Sequence, residues 1–549
     1  MDAPYYLKHF HHLLTWVGSR SVGFWSEEEE ALFAGFRQAS VGAQALLVRL
    51  LTRKGRHFRT SRLRYAECQP LQEILAELEQ LQWISLRPSQ EDLVPLASLF
   101  TCEELAGWLG KKAGKPVLLN QIVQREDALI LLGSEAVLFC MRPLFERLVL
   151  LFFGNRHQDL AAFVLADLGR AVYPPLPLDP ATLPFPNRLC LENYLHWSDR
   201  EAQLESAELS GEELGSLAGE CMAVLGEAHP SWRRFPRRIL TKLALPLLQQ
   251  DHPLAGHCLE ALQNAAQAEE RIDWQSQARM VRWLLGQKKQ DQARSLLNQA
   301  VARSPLERYA HNSLRRRLNP ELPREMLSLA PEHPWPDQEK GGGTRRGKAL
   351  YRRGEEWLTI EELVLALRGE QGWQGCLAEN GLIRTLLLHL AWEPFYHPVA
   401  DAFFHPFQDA PADWGSKAFF PRRREAFADW ADWARKGGLP WLQETLAHSI
   451  ASRGHYHCRL NHPAHLQHGL LSAILARAPA ESWVQLALRF FSLQHALHRG
   501  FPDLVLLREE ELLLCEVKAV GEPLSPYQRN WHAELIELGF QVSIDRVSC

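Results

Sequence analysis

The sequence predicts a multi-domain chain, mainly α in its N-terminal and helical-repeat regions and ending in an α/β core. Three observations predict it. The length of 549 residues suits two to four domains. Ala- and Leu-rich segments at helical spacing recur over most of the first 320 positions. Near the end, two Leu/Val-rich runs at 500–507 and 512–518 flank a short charged turn, the pattern of paired strands in a buried sheet.

Composition limits the function classes. The net charge is only −4, so a nucleic-acid role must rest on local basic patches. The ten cysteines are scattered with no CxxC pair, which argues against a disulfide framework or a cysteine zinc finger. Met1-Asp2-Ala3-Pro4 opens no signal-peptide pattern, and no apolar run is long enough to span a bilayer. These features together predict a cytoplasmic protein without membrane contact.

Residues 1–68 form a helical region with a basic stretch. Ser26 is a candidate N-cap with Glu27 to Glu30 in the first turn, where acids favour the helix dipole. A second helix from about Gly42 runs into Arg49, Arg53, Lys54, Arg56, His57, Arg59, Arg62 and Arg64, with no acid between them. Such a run suits a phosphate backbone; a solvated basic face has the same composition. Within 69–172, Leu71 to Leu86 is spaced as an amphipathic helix. A helix, a Lys/Gly loop with Lys111, Lys112 and Lys115, and a second helix then look like a SAP-type DNA-binding unit, and equally like a plain helical hairpin. Residues 173–187 are a proline-dense linker. Residues 188–360 hold amphipathic helices that fit antiparallel pairs of the tetratricopeptide kind. A basic glycine loop, Lys340 to Lys348, follows without the order of a P-loop. Residues 361–549 form the last domain.

The chemistry is concentrated in that last domain. Centring the hairpin between Glu509 and Glu510 puts Arg508 opposite Glu511 and Asp503 opposite Glu516. Opposed residues share a face with Cβ atoms roughly 5 Å apart, and Lys518, two residues on, shares it too. Two carboxylates that close would force one to take up a proton. A divalent cation removes the conflict, and hard oxygen donors suit Mg2+ or Mn2+. Such an ion polarises a phosphodiester and lowers the pKa of bound water, while Lys518 orients the water or offsets transition-state charge. The scattered His455, His457, Cys458, His462, His465 and His468 have untidy spacing for zinc.

Pro502-Asp503 followed by Glu516-Val517-Lys518 resembles the PD-(D/E)xK nuclease superfamily. With Leu524-Ser525-Pro526-Tyr527-Gln528 opening a helix, and a strand over 541–547, it is similar to the VRR-NUC (virus-type replication-repair nuclease) domain. That resemblance implies a restriction-endonuclease-like core. The run at Arg49 to Arg59 and the stretch around Phe152 resemble the Fanconi-anaemia-associated nuclease family, in a bacterial-type member. Trp373 to Gly381 resembles that family's segment before its first catalytic helix, with Ala378 and Asn380 as departures around the acid. By resemblance, the metal shell is Glu379, Asp503, Glu516 and the carbonyl of Val517, holding one or two ions, with Asp503, Glu516 and Lys518 catalytic. The resemblance also implies branched or 5′-flapped duplex DNA as partner, 5′-to-3′ exonuclease action and interstrand-crosslink repair. A monomer is expected, and the start of the chain has no Cys/His pattern for the ubiquitin-binding zinc finger of vertebrate members. A non-catalytic DNA-binding scaffold and a Holliday-junction resolvase are the alternatives.

Overall fold

The computed structural model describes residues 4–549 except 180, 207–209, 251, 269–273, 299–301, 303, 324–326, 346 and 379. The chain divides into two compact units. The first comprises 1–171, 178–193 and 404–407; the second comprises 172–177, 194–403 and 408–549.

The first unit is helical around a small antiparallel sheet of strands β1 (His57–Arg59), β2 (Ile84–Ser85) and β3 (Ala136–Phe139), in the order β1-β3-β2. Ser26 caps its helix in a capping box with Glu29, as expected from its position before four acids. The helix from Leu71 stops at Gln80, short of Leu86, because the chain turns at Gln82 (φ +60°) to reach β2. The helices Cys102–Leu109 and Lys115–Ile122 flank the lysine loop as expected, and Gly110 supplies the left-handed residue that ends the first. A core of Leu93, Leu96, Phe100, Leu105, Leu118 and Ile122 holds this hairpin.

In the second unit, among the described residues, six helices between Gly211 and Leu318 pack against their neighbours in sequence around Ala244, Leu259, Val281, Leu284, Leu297 and Leu314. The last of them, Pro305–Leu318, docks on the helix Pro526–Glu537. There Leu306 N–H donates to Asn530 Oδ1 (3.3 Å) and Arg308 pairs with Glu537 (2.6 Å).

The remainder is built on a five-stranded mixed sheet of β4 (Glu332–Trp335), β8 (Gln374–Leu377), β9 (Leu504–Arg508), β10 (Glu511–Ala519) and β11 (Gln541–Val547), ordered β4-β11-β10-β9-β8. The inner strands β9, β10 and β11 are largely buried because both faces are covered there, while the edge strands β4 and β8 are exposed or half-buried. Leu504, Leu506, Leu513, Cys515 and Val517 pack on the helix Ile360–Glu370. Val505, Leu512, Leu514, Val542 and Ile544 pack into a larger helical layer that includes Leu386, Leu446, Phe490 and Trp531. Arg368 and Asp545, both buried, form a two-pronged ion pair (2.7 and 2.8 Å) that ties the Ile360–Glu370 helix to β11.

The Lys340–Lys348 stretch is not a loop. Strands β5 (Lys340–Arg345), β6 (Lys348–Arg353) and β7 (Glu356–Thr359) form a separate antiparallel sheet. Its cations pair with the following helix: Lys348 with Glu361 (2.7 Å), Arg345 with Glu362 and Arg353 with Glu370. Glycine is required at Gly341, where an added Cβ would lie 2.4 Å from the Trp357 ring. Among the described residues, no helix is long and apolar enough to cross a membrane.

Candidate active site

The hairpin has the register that its charges suggest. Arg508 pairs with Glu511, and the ladder runs out to Leu504 opposite Cys515, so the next pair is Asp503 with Glu516. Residues two apart on a strand share a face. Glu516 and Lys518 therefore lie on the face of Leu514, and Asp503 on the same face as Val505.

Asp503 is held at three points. Its Oδ2 accepts from Val517 N–H (2.9 Å), its carbonyl accepts from Ala378 N–H (2.8 Å), and two residues earlier Phe501 N–H donates to Asn380 Oδ1 (3.2 Å). Ala378 and Asn380 thus fasten the end of β8 to the approach of β9. Glu379, the acid between them, lies outside the described residues.

Glu516 is fully buried. Its Oε1 takes two donors, Lys518 Nζ (2.8 Å) and Gln528 Nε2. Its Oε2 is buried and has no partner. Burial, and after it the Asp503 carboxylate, push the Glu516 carboxyl up to about 8 against the pull of Lys518. Burial also raises Asp503, and the charge of Glu361 adds to it. Burial would lower the Lys518 ammonium, but Glu516 and Asp503 override it and hold it above its ordinary range.

An orphaned buried carboxylate oxygen beside a second carboxylate is a donor set that a hard divalent cation would satisfy. Asp503 and Glu516 fit such an ion, though among the described residues no three His, Cys, Asp or Glu side chains converge as a complete shell. Glu379 and the carbonyl of Val517 would have to complete it. The histidines between 455 and 468 form no such group either.

Sequence reasoning missed two participants. Glu361 stands in the first turn of the Ile360–Glu370 helix, where Thr359 and Glu362 form the capping box. Its Oε1 is paired with Lys348, its Oε2 is buried without a partner, and its charge reaches Asp503. Burial would raise its carboxyl, but Lys348 holds it below the ordinary value. The signal for it was weak, an acid after a capping threonine. Gln528 was visible as part of the helix-opening motif, but nothing in the sequence aimed it at Glu516.

The basic candidates of the first unit separate into two groups. Arg59 is 7% exposed, lies over the Phe100 ring (3.9 Å), and is paired with Glu104 (2.9 Å) and Glu135 (3.1 Å), so its charge is balanced within the fold. Arg49 is likewise engaged, with Glu67 (2.8 Å). Arg53, Lys54 and Arg56 are exposed on a loop that Arg142 braces by donating to the carbonyls of Arg53 (2.7 Å) and Gly55 (2.6 Å). A cleft of about 550 Å³ beside it is lined by Tyr5, His9, Arg49, Arg53, Lys54 and Arg142. Lys111 and Lys112 are exposed at the hairpin tip, and Lys115 Nζ donates to the carbonyl of Ser98 (3.0 Å).

Sheet order, hairpin register and the Asp503–Glu516–Lys518 cluster define a DNA nuclease of the VRR-NUC type, a class that works with a divalent metal. Residues 440–548 match the family described as "VRR-NUC domain", and residues 4–85 match "FAN1, HTH domain". The chain is 31% identical over 455 residues to the Fanconi-associated nuclease 1 homolog of Pseudomonas aeruginosa, covering 77% of this chain and 74% of that protein. It is 24% identical to the homolog of Oryza sativa subsp. japonica, over 99% of this chain and 62% of the rice protein. Among solved structures, paFAN1 bound to 2nt 5′ flap DNA with a gap superimposes with a TM-score of 0.81 at 26% identity, covering 99% of this chain and 98% of that one. The chain belongs to the Fanconi-associated nuclease 1 family, as a bacterial-type member.

Proposed function

We propose that the protein is a structure-specific endonuclease that cuts branched DNA near 5′ flaps, with 5′-to-3′ exonuclease action, in interstrand-crosslink repair. The observation that carries the reading is the buried, unpartnered Oε2 of Glu516, a residue whose carboxyl feels the charge of nearby Asp503. Support for the substrate comes from the solved relative bound to 5′ flap DNA.

Glu379, Asp503, Glu516 and the Val517 carbonyl would hold one or two Mg2+ or Mn2+ ions. A bound ion supplies positive charge to the scissile phosphate and a lower pKa to water. Asp503, fixed by the Val517 N–H, and Glu516, fixed by Lys518 and Gln528, present carboxylate oxygens from one face of the hairpin. Lys518 stays protonated and stands beside the attacking water, where it offsets charge that develops on the phosphate. Arg53, Lys54, Arg56, Lys111 and Lys112 grip the duplex backbone. The chain works as a monomer with five parts: 1–68, the SAP-like 69–172, a linker over 173–187, the helical repeats of 188–360, and the nuclease domain of 361–549.

The test is cleavage of labelled flap, fork and four-way DNAs with Mn2+ and with EDTA. Asp503→Ala is expected to abolish cutting and to leave DNA binding within a few-fold. Equal cutting by the variant and the parent would refute the site. Paired cuts in the four-way DNA would favour a resolvase.

A further inference from the structure

Gln528 is committed at both ends of its side-chain amide. Its backbone N–H donates to Ser525 Oγ (3.3 Å), and its Oε1 accepts from Ser525 N–H (2.9 Å), the reciprocal capping box of the helix Pro526–Glu537. With Oε1 held by the cap, the amide's Nε2 is left to donate, and it donates to Glu516 Oε1. Lys518 Nζ donates to that same oxygen (2.8 Å). Both donors therefore converge on one carboxylate oxygen, and the other, Oε2, is buried and unpartnered.

Gly500 packs closely against this helix end. It has φ +88°, and an added Cβ would lie 2.9 Å from Gln528 N and from Tyr527 C. Only two residues, Phe501 and Pro502, separate Gly500 from Asp503. The segment leading into Asp503 therefore runs close against the start of the helix.

We infer that Gln528 is a positioning residue for the metal site: the capping box orients its amide so that it occupies Glu516 Oε1 and presents Oε2 alone to a divalent ion. A carboxylate restrained in this way offers one oxygen in a fixed direction, the monodentate mode that the octahedral shell of Mg2+ or Mn2+ accepts. The inference rests on the metal reading above and assigns the orienting partner of one of its ligands.

The experiment measures Mn2+ affinity of the full chain without DNA, by calorimetry and by the loss of the free-ion electron paramagnetic resonance signal. The chains compared are the parent, Gln528→Ala, Ser525→Ala and Asp503→Ala. Removing an orienting partner of a metal ligand typically weakens binding about 10–100-fold, which is the expectation for Gln528→Ala. Ser525→Ala loses the side-chain half of the cap but keeps the backbone N–H that orients the amide, so it is expected to bind Mn2+ within a few-fold of the parent. Parent-like affinity in Gln528→Ala would overturn the inference. So would equal losses in Ser525→Ala and Gln528→Ala, which would make Gln528 only a helix cap. A parent that binds no more Mn2+ than Asp503→Ala would overturn the metal site itself, and this inference with it.

Discussion

Single residues in the candidate site are constrained by geometry more than by their charge alone. Gly500 shows this most directly. It adopts a left-handed conformation that a side chain disfavours, and the first turn of the Pro526–Glu537 helix leaves no room for a Cβ. Gly500→Ala is expected to push that turn away from Glu516. Misplacement of reacting groups by about 1 Å costs about 100-fold in rate. Flap cleavage should fall by that order while DNA affinity stays within a few-fold, as a gel-shift and cleavage assay on one protein preparation would show. His389 supplies a test at the same scale that is independent of catalysis. It is fully buried, with Nδ1 2.8 Å from Ser449 Oγ and Nε2 3.3 Å from Asn461 Oδ1, and burial lowers its pKa to about 4. The folded chain keeps this ring neutral, while the unfolded chain takes up a proton below about pH 6.5. Its contribution is thus intact above that pH and is lost as the pH falls toward 4, by about 3 kcal/mol in all. Thermal melts of the parent between pH 7 and 4 should show this loss, and His389→Gln should flatten it.

At the level of elements, the sheet and its two helical covers fix the site. The Arg368–Asp545 pair joins the Ile360–Glu370 helix to β11 on the face opposite Glu516, and Trp335 Nε1 adds a donor to Asp545 (2.8 Å). Removing one partner of such a buried pair leaves a charge uncompensated, at about 3–5 kcal/mol. Asp545→Asn is expected to lower the free energy of unfolding by that amount, read as a fall in the urea midpoint, and an unchanged midpoint would mean that the pair is structurally idle. How much of these elements was legible depended on whether their partners were local. The β9–β10 register followed from Arg508 and Glu511, because a two-residue turn leaves one way to pair the charges. The strand over 541–547 and the helix opening at Leu524 to Gln528 were legible as parts of the motif that follows the hairpin. The β5–β6 hairpin was hidden, because glycines and cations read as a loop until the Ile360–Glu370 helix supplies Glu361, Glu362 and Glu370 as their partners. The ion pairs of Arg59 were hidden for the same reason: its neighbours in sequence carry no acid, and Glu104 and Glu135 come to it only through folding.

For the whole molecule, the near-neutral charge means that DNA affinity must come from a few exposed cations placed together. Arg53, Lys54 and Arg56 are exposed on one loop braced by Arg142. If each neutralises one phosphate, replacing all three by alanine should reduce the slope of log affinity against log salt by about 2.7. Arg59→Ala should instead lower stability, since it removes a buried cation from two acids. A salt slope unchanged in the triple variant would move the duplex elsewhere on the protein.

The sequence by itself determined the fold class, the strand pairing around residues 503–518 and the common face of Asp503, Glu516 and Lys518. Those features depend on short-range periodicity and on charges that meet across one turn. Only the tertiary structure decided which oxygen of Glu516 is left without a donor, that Gln528 donates to the other, that Glu361 stands near Asp503, and that Arg59 is consumed inside the fold. Each of these turns on contacts between segments far apart in the chain, whose energies depend on burial and distance, and neither is written in local sequence.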